Sequence, residues 1–428
     1  VSNLVSNKYR RGTATNVQFP SLPSLTTQPA MIDLYQKQYQ HDILTLEYRS
    51  ESPLWIDTLK TGTPVSFTWR QETVVKNWIG YVSSIQKVNA PQRTNIMQVV
   101  CVGATFPMKQ RVTRIFENKT IPQVVQLIAE GFGFSVLTDS HPQVFDQLAI
   151  TGNSYWEWIN EQAKRIGYGV IVDGMNFVFR PLDKLINMTF SNAPVMSLGN
   201  AGAPFNTQYL DRTLDQFKII LGDNVEASSN WRAVKNVGGV DPETSELFLS
   251  KSSPAEGSDP LRETVSPVLF DEFRTDRVIN SRVASDQAAL AAAAMARFGI
   301  PATIMGQGDP RIRPFGVIYV AGTGVTTDGY WMVTEARHKF HKIGDYMIDL
   351  SVSTDGVGDA VVETPFRTRS VDGAGTVNLN EASISGQISS LSFEFSDVAL
   401  KDYTPINSES LQGYLTSPKR WKSEASNG

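Results

Sequence analysis

The sequence is poor in the groups that do chemistry on their own. It holds one cysteine, Cys101, and 4 histidines in 428 residues. A single thiol excludes an intrachain disulfide framework and any multi-thiolate metal site. Charge of one sign is lacking too: 39 Lys plus Arg stand against 43 Asp plus Glu, a formal net charge of -4. Phosphate neutralisation needs clustered cations, so a nucleic-acid binder held by a dominant basic surface is excluded. Long apolar runs are also missing. The longest, Ala288 to Ala296, is about half of what a bilayer crossing requires. No charged-then-apolar leader opens the chain, which predicts a protein that is not exported by that route. With 41% apolar and 19% charged residues, the composition is ordinary for globular protein, and the length predicts two to four domains.

What is present is mostly β pattern. Leu44, Leu46 and Tyr48 alternate with Thr45, Glu47 and Arg49, and Val65, Phe67 and Trp69 alternate with Ser66, Thr68 and Arg70. Trp78 to Val88 and Asn95 to Val102 continue the pattern between turns at Pro53, Gly62, Pro64 and Pro91. Period-two spacing at this density predicts antiparallel strands closing into a small barrel over 30–110. Ahead of it, residues 1–29 show no sustained period and read as an arm.

From Arg111 the period changes. Thr120, Pro122 and Gly131 frame one helix. Ser154 and Gly167 frame a second, with Trp158, Ile159, Ala163 and Ile166 on its apolar stripe. Phe134 to Leu137 reads as a strand, and Asp173-Gly174 joins Tyr168–Val172 to Asn176–Arg180 as a hairpin. Residues 111–183 thus predict a two-helix α/β module. A return segment (186–203), one strand at Phe217–Gly222 that is expected to belong to a second barrel, and a polar surface excursion (225–262) fill 184–263. In 264–356 an Ala-rich helix, Ser285–Phe298, capped by Ser285, leads into three alternating strands at 316–321, 329–340 and 345–354. Residues 357–428 read as an extension in which Leu391, Phe393 and Phe395 form a short strand seeking a sheet edge. The strand order Val65–Phe67, Gly80–Val82, 95–102 recurs as Val317–Tyr319, Gly329–Tyr330, 345–352. Either a duplicated barrel or two unrelated meanders would give that recurrence.

Candidate chemistry is sparse. His338 and His341 stand close together, but three residues apart on a strand puts them on opposite faces, so they read as structural. Gly199–Gly202 and Gly322–Gly324 do not lie between a strand and a helix as a phosphate cradle would. No nucleophile elbow or H-E-x-x-H motif occurs. Tyr155, Trp156 and Trp158 read as packing on the module's own sheet rather than as a sugar platform. Asn118–Thr120 and Asn187–Thr189 match the glycosylation triplet and are discounted for want of a leader. No catalytic, cofactor-binding or metal-ligating residue is assigned. A pair of carboxylates for glycoside cleavage has no fixed sequence spacing, so a cell-wall hydrolase stays open as an alternative.

Two stretches resemble one family. The first is Ile121 to Ala129, Phe132 to Val136, Ser154-Tyr155-Trp156-Glu157-Trp158-Ile159, Gly167-Tyr168 and Phe177 to Pro181. The second is the Ala-rich helix, Gly308 to Pro314, Gly316 to Val320, Gly329 to Val333, His338 and Tyr346 to Leu350. In order and spacing they resemble the baseplate or tail-hub proteins of tailed bacteriophages, the late-control-D type, over about 30–355. The amino-terminal part of type VI secretion spike proteins shares that superfamily. The resemblance implies a mixed β and α+β chain: two tube-like β-barrels with an inserted α/β module and extended terminal arms. It implies a homotrimeric, non-enzymatic virion component in the tail or baseplate, assembled in the host cytoplasm. Three chains would present six similar barrels to a sixfold tail tube and line the channel for genome ejection. Implied partners are further copies of the chain, the tail tube protein, a central spike or tip protein, the tape measure protein and other baseplate components. DNA would pass without specific binding, and no cofactor is implied. The chain departs from the secretion-spike pattern in lacking a long β-helical needle, so the resemblance implies a separate tip. A secretion-like spike or receptor-binding module is the remaining alternative.

Overall fold

A computed structural model describes residues 13–22, 28–50, 59–71, 74–88, 95–190, 193–198, 211–219, 234–240, 245, 247–252, 271–275, 282–296, 298–324, 327–341 and 346–355. The first region comprises β1 (Ala14–Gln18), β2 (Met31–Lys37), β3 (Ile43–Ser50), β4 (Pro64–Gln71), β5 (Val74–Val88) and β6 (Asn95–Gly103). The module adds β7 (Arg111–Lys119), α1 (Ile121–Gly131), β8 (Ser135–Thr138), β9 (Phe145–Ser154), α2 (Tyr155–Ile166), β10 (Tyr168–Asp173) and β11 (Asn176–Pro181). Then come α3 (Leu182–Phe190), β12 (Val195–Leu198), β13 (Asp211–Ile219), β14 (Val234–Val240), β15 (Leu247–Ser252) and β16 (Asp271–Thr275). The last region holds α4 (Arg282–Ala296), β17 (Ile300–Gln307), β18 (Val317–Ala321), β19 (Gly329–His341) and β20 (Tyr346–Thr354). The chain is mostly β, with α-helices confined to four segments among the described residues.

Twelve strands form one sheet in the order β1-β4-β5-β6-β3-β2-β19-β18-β12-β13-β17-β20. Its two halves differ. β20 also pairs with β19, so β19, β18, β12, β13, β17 and β20 make a closed cycle of hydrogen-bonded neighbours. The first six strands curl without such a closing pair among the described residues. Ile304, Ile318, Val320, Trp331, Val333, Ile348 and Leu350 fill the closed cycle. Leu34, Leu44, Leu46, Val65, Phe67, Val99 and Cys101 fill the curl. Phe340 and Tyr346, at the far end of the long β19–β20 hairpin, belong to that first core as well. One hairpin therefore serves both cores. Each large side chain so buried contributes about 1.5–3 kcal/mol of transfer free energy.

The module has its own core around Val124, Val125, Ile128, Ile159, Phe177 and Phe179. Both helices start with a reciprocal capping box, Thr120 with Gln123 and Ser154 with Glu157, satisfying orphan N–H groups at each N-terminus. α2 ends at Gly167 (φ 71), where an added Cβ would lie 3.1 Å from the Ala291 α-carbon of α4. The left-handed turn and the helix contact both require glycine there. The hairpin β10–β11 turns the opposite side chains, Ile171 and Val178, onto α3 and the outside of the second region. That double burial is why Tyr168 to Val172 reads as continuous rather than alternating.

Several sequence expectations need correcting. The arm contains β1, a strand held by backbone pairing to β4 (Val17 opposite Phe67) rather than by its own apolar pattern. β2, β7, β9 and β17 are further strands that turn signals and weak alternation concealed. The return segment begins as α3, whose Leu182, Leu185 and Ile186 pack on β11's outer face, and continues as β12. The excursion is not bare surface: β14 lies between β15 and β16 in a small sheet under α4. Ser285 does not cap α4, which begins three residues earlier; its hydroxyl donates to the Val237 carbonyl. The strand expected at 217–222 is β13, which starts at Asp211; residues 220–222 and the segment at Leu391 to Phe395 lie outside the described residues.

Candidate functional site: a three-way joint and a shared sheet face

The first region, the module and the second region meet at the β2–β3 turn. Tyr39 sits there with φ 59, and Phe315, in the loop before β18, has φ 64. Non-glycine residues seldom adopt this conformation, and each instance costs on the order of 1–3 kcal/mol unless its surroundings impose it. The two rings touch edge to face at 5.1 Å. The Tyr39 hydroxyl donates to the Tyr168 carbonyl of the module (2.9 Å), and Lys164 lies over its ring. Burial pushes the Tyr39 phenol well above its usual range, so it stays a donor. One side chain thereby touches all three parts.

Beside it lies a cleft of about 50 Å³ whose walls include Gln36, Asp42, Trp78, Thr105, Trp156 and Arg313. At its edge Asp173 accepts from Lys76 of β5 (3.1 Å) and from Arg313 (3.3 Å). Burial alone would raise the Asp173 pKa, but the two cations together hold it below the usual carboxylate range. Gln36 donates to Asp42 (2.7 Å), yet burial, the main cause, raises the Asp42 carboxyl to about 7, with Asp173 adding repulsion. His41 contacts the Thr105 hydroxyl (2.6 Å) and stacks on Trp156 (4.8 Å). Burial first, then Lys109, lowers its pKa to about 3, so it is neutral at ordinary pH.

The second feature is the outward face of β3, β2, β19 and β20, which runs unbroken across the boundary between the two halves. Lys37 pairs with Glu335 directly opposite (3.4 Å). Arg337 grips Asp33 with two guanidinium nitrogens, the closer at 2.6 Å, and Lys339 pairs with Asp349 across to β20. Arg49 and Glu47 pair on β3. Four cations meet four carboxylates on this face. Each pair is partly exposed, so none is worth more than about 1 kcal/mol. Their effect is to leave a polar wall without net charge.

The residues singled out from the sequence fall where their patterns require. His338 points inward, bonded through Nδ1 to the Tyr346 hydroxyl (2.8 Å), with its pKa lowered to about 4 chiefly by burial. His341 ends β19 on the opposite, exposed face. Trp156 and Trp158 are buried in the module core. Gly322–Gly324 is a hairpin turn whose backbone N–H groups donate to Asp328. No group of three or more metal-ligating side chains occurs among the described residues. Tyr39, Asp42, Phe315 and the Asp173 bridge are not legible as a site in the sequence. Their one local sign is Asp173-Gly174, which reads only as a turn.

No family model matches the chain, and no curated protein matches its sequence. Solved structures do. A tail protein from Neisseria meningitidis MC58 aligns over 81% of this chain and 98% of its own, with TM-score 0.55 and 12% identity. The 43 kDa tail protein of prophage MuSo2 from Shewanella oneidensis covers 79% and 97%, with TM-score 0.53 and 12% identity. At that identity the likeness is one of fold, and it runs nearly the whole length of both relatives. The chain therefore shares its fold with these two tail proteins.

Proposed function

We propose that the protein is a structural hub of a phage tail or baseplate. In this reading it is a homotrimer that adapts a sixfold tail tube to a threefold central spike. The observation that carries the reading is the twelve-stranded sheet, which splits into two six-strand halves joined side by side through β2 and β19. A chain with two such halves lets three copies offer six tube-like barrels to a hexameric ring. The first half would complete its barrel through its neighbours in the assembly, and the second is already cyclic. The barrel units are β1 to β6 on one side and β12, β13 and β17 to β20 on the other, 111–183 is the module, and the terminal segments tie copies together.

The charge-balanced face of β3, β2, β19 and β20 suits a channel wall, because a cationic lumen would retain DNA by its phosphates. Contacts to tube, spike, tape measure and other baseplate proteins are assigned to the return segment, the excursion and the tails. Exposed Val240, Leu247 and Leu249 on β14 and β15 support that assignment for the excursion. The role is architectural and not catalytic. Light scattering on the protein co-assembled with its tube and spike neighbours tests the stoichiometry. Three copies are expected; a monomeric or hexameric species would contradict the reading. Clear lysis of cell wall by the purified protein would contradict the non-catalytic part.

A further inference from the structure

Among the described residues β15 pairs with β14 on one side and with no strand on the other. Val237 and Ser250, directly opposite each other, face α4: Val237 packs with Ala289, and the Ser250 hydroxyl donates to Asp286. Side chains alternate along a strand, so Val240, Leu247 and Leu249 share the other face, with Val240 opposite Leu247. They are 49%, 85% and 54% exposed. No other edge strand among the described residues leaves two aliphatic side chains so open. Unpaired N–H and C=O groups beside open apolar side chains make this edge a template for a further strand.

The sequence holds a segment that fits this edge. Leu391, Phe393 and Phe395 alternate with Ser390, Ser392 and Glu394, beyond the described residues. The described residues end at Asp355, one past Thr354, which pairs with Ile300. Ile300 lies just beyond α4, the helix that covers the small sheet, and from Asp286 to Ala296 that helix rises about 15 Å. About 35 residues separate Asp355 from Leu391, and a linker of that length reaches on the order of 30 Å. Reach and span are thus comparable, the condition under which a tethered segment attains its highest effective concentration. A strand from the same molecule is therefore favoured over one from a second copy. We propose that the segment around Leu391 to Phe395 adds as a strand to the outer edge of β15 in its own chain. Its backbone pairs with the outward N–H and C=O groups of β15, and its three apolar side chains extend the face of Leu247 and Leu249. The small sheet then has α4 on one face and a widened apolar surface on the other.

Hydrogen exchange on the full chain tests this, comparing the wild type with a variant carrying Leu391→Ser, Phe393→Ser and Phe395→Ser. Protection in β15 should fall about tenfold in the variant while β18 is unchanged. Equal protection of β15 in both would overturn the proposal. The reciprocal variant, Leu247→Lys with Leu249→Lys, should release the segment, so that chymotrypsin cuts after Phe393 and Phe395 about tenfold faster than in the wild type. An unchanged rate of cutting would overturn it equally. Wild-type protection should also be constant over about a hundredfold range of protein concentration. Protection that grows with concentration would give the edge to a second copy and overturn the intrachain strand. The isolated chain suffices for these measurements, so their outcome is separate from the tail reading, which stands or falls on stoichiometry.

Discussion

The two sheet halves have six strands each and solve the edge problem differently. The second half closes on itself through β19–β20 and β17–β20, and its interior is apolar on its own account. Among the described residues the first half ends at β1, where the Gln28 amide accepts from the Val17 N–H (3.1 Å) and donates to its carbonyl. A side chain there occupies what a neighbouring strand would otherwise pair with. The first core is also sealed by borrowed residues, Phe340 and Tyr346, which lie on the second half's hairpin. One half is self-contained, and the other depends on it. Stability should therefore pass from the second half to the first more than in the reverse direction.

The largest break in that asymmetry is Phe340→Ala. Phe340 stacks on Tyr346 at 4.3 Å and meets Phe67 edge to face at 5.4 Å. A loss of about 3–5 kcal/mol is expected in urea unfolding. Hydrogen exchange should show β3 and β4 losing protection while β12 and β18 keep theirs. Equal loss in all four strands would mean the halves are not separable. Gly308→Ala tests the same seam from the second half. An added Cβ would sit 2.3 Å from the Tyr346 ring, so about 1–3 kcal/mol should be lost by overpacking, with Tyr346 displaced from the first core.

Smaller effects sharpen the contrast. Ser154→Ala removes one reciprocal cap of α2 and should cost about 1 kcal/mol, confined to the module's amides. Arg337→Ala cuts the bidentate grip on Asp33 at the seam, but its exposure limits the loss to about 0–1 kcal/mol. A much larger loss in thermal melts would show that the seam depends on ion pairs rather than on backbone pairing and the shared core.

What is local in this fold is legible in the residues. Strands with clean alternation, β3 to β6 and β20, can be read because each has one face on a core and one more open. β18 is legible as an unbroken apolar run because both its faces are buried. Both module helices can be read from Thr120, Ser154 and their apolar stripes. What escapes depends on partners distant in the chain. β12 has four residues, and its strand character comes from lying between β18 and β13. β17 carries Pro301 near its start, a residue that argues against a central strand although Ile300, Ala302 and Ile304 alternate correctly. α3 has the right spacing at Leu182, Leu185 and Ile186, but it follows Pro181 and reads as a loop. The joint gathers Tyr39, Asp42, Asp173 and Phe315 from three parts of the chain, and no spacing rule connects them.

The tail-hub reading rests on one chain supplying two like β units at a shared radius. A cryo-electron microscopy reconstruction of the assembled tail end tests this directly. Three copies are expected around the axis, with the β3–β6 and β17–β20 halves alternating at equal distance from it. Six copies, or halves lying at clearly different radii, would contradict it.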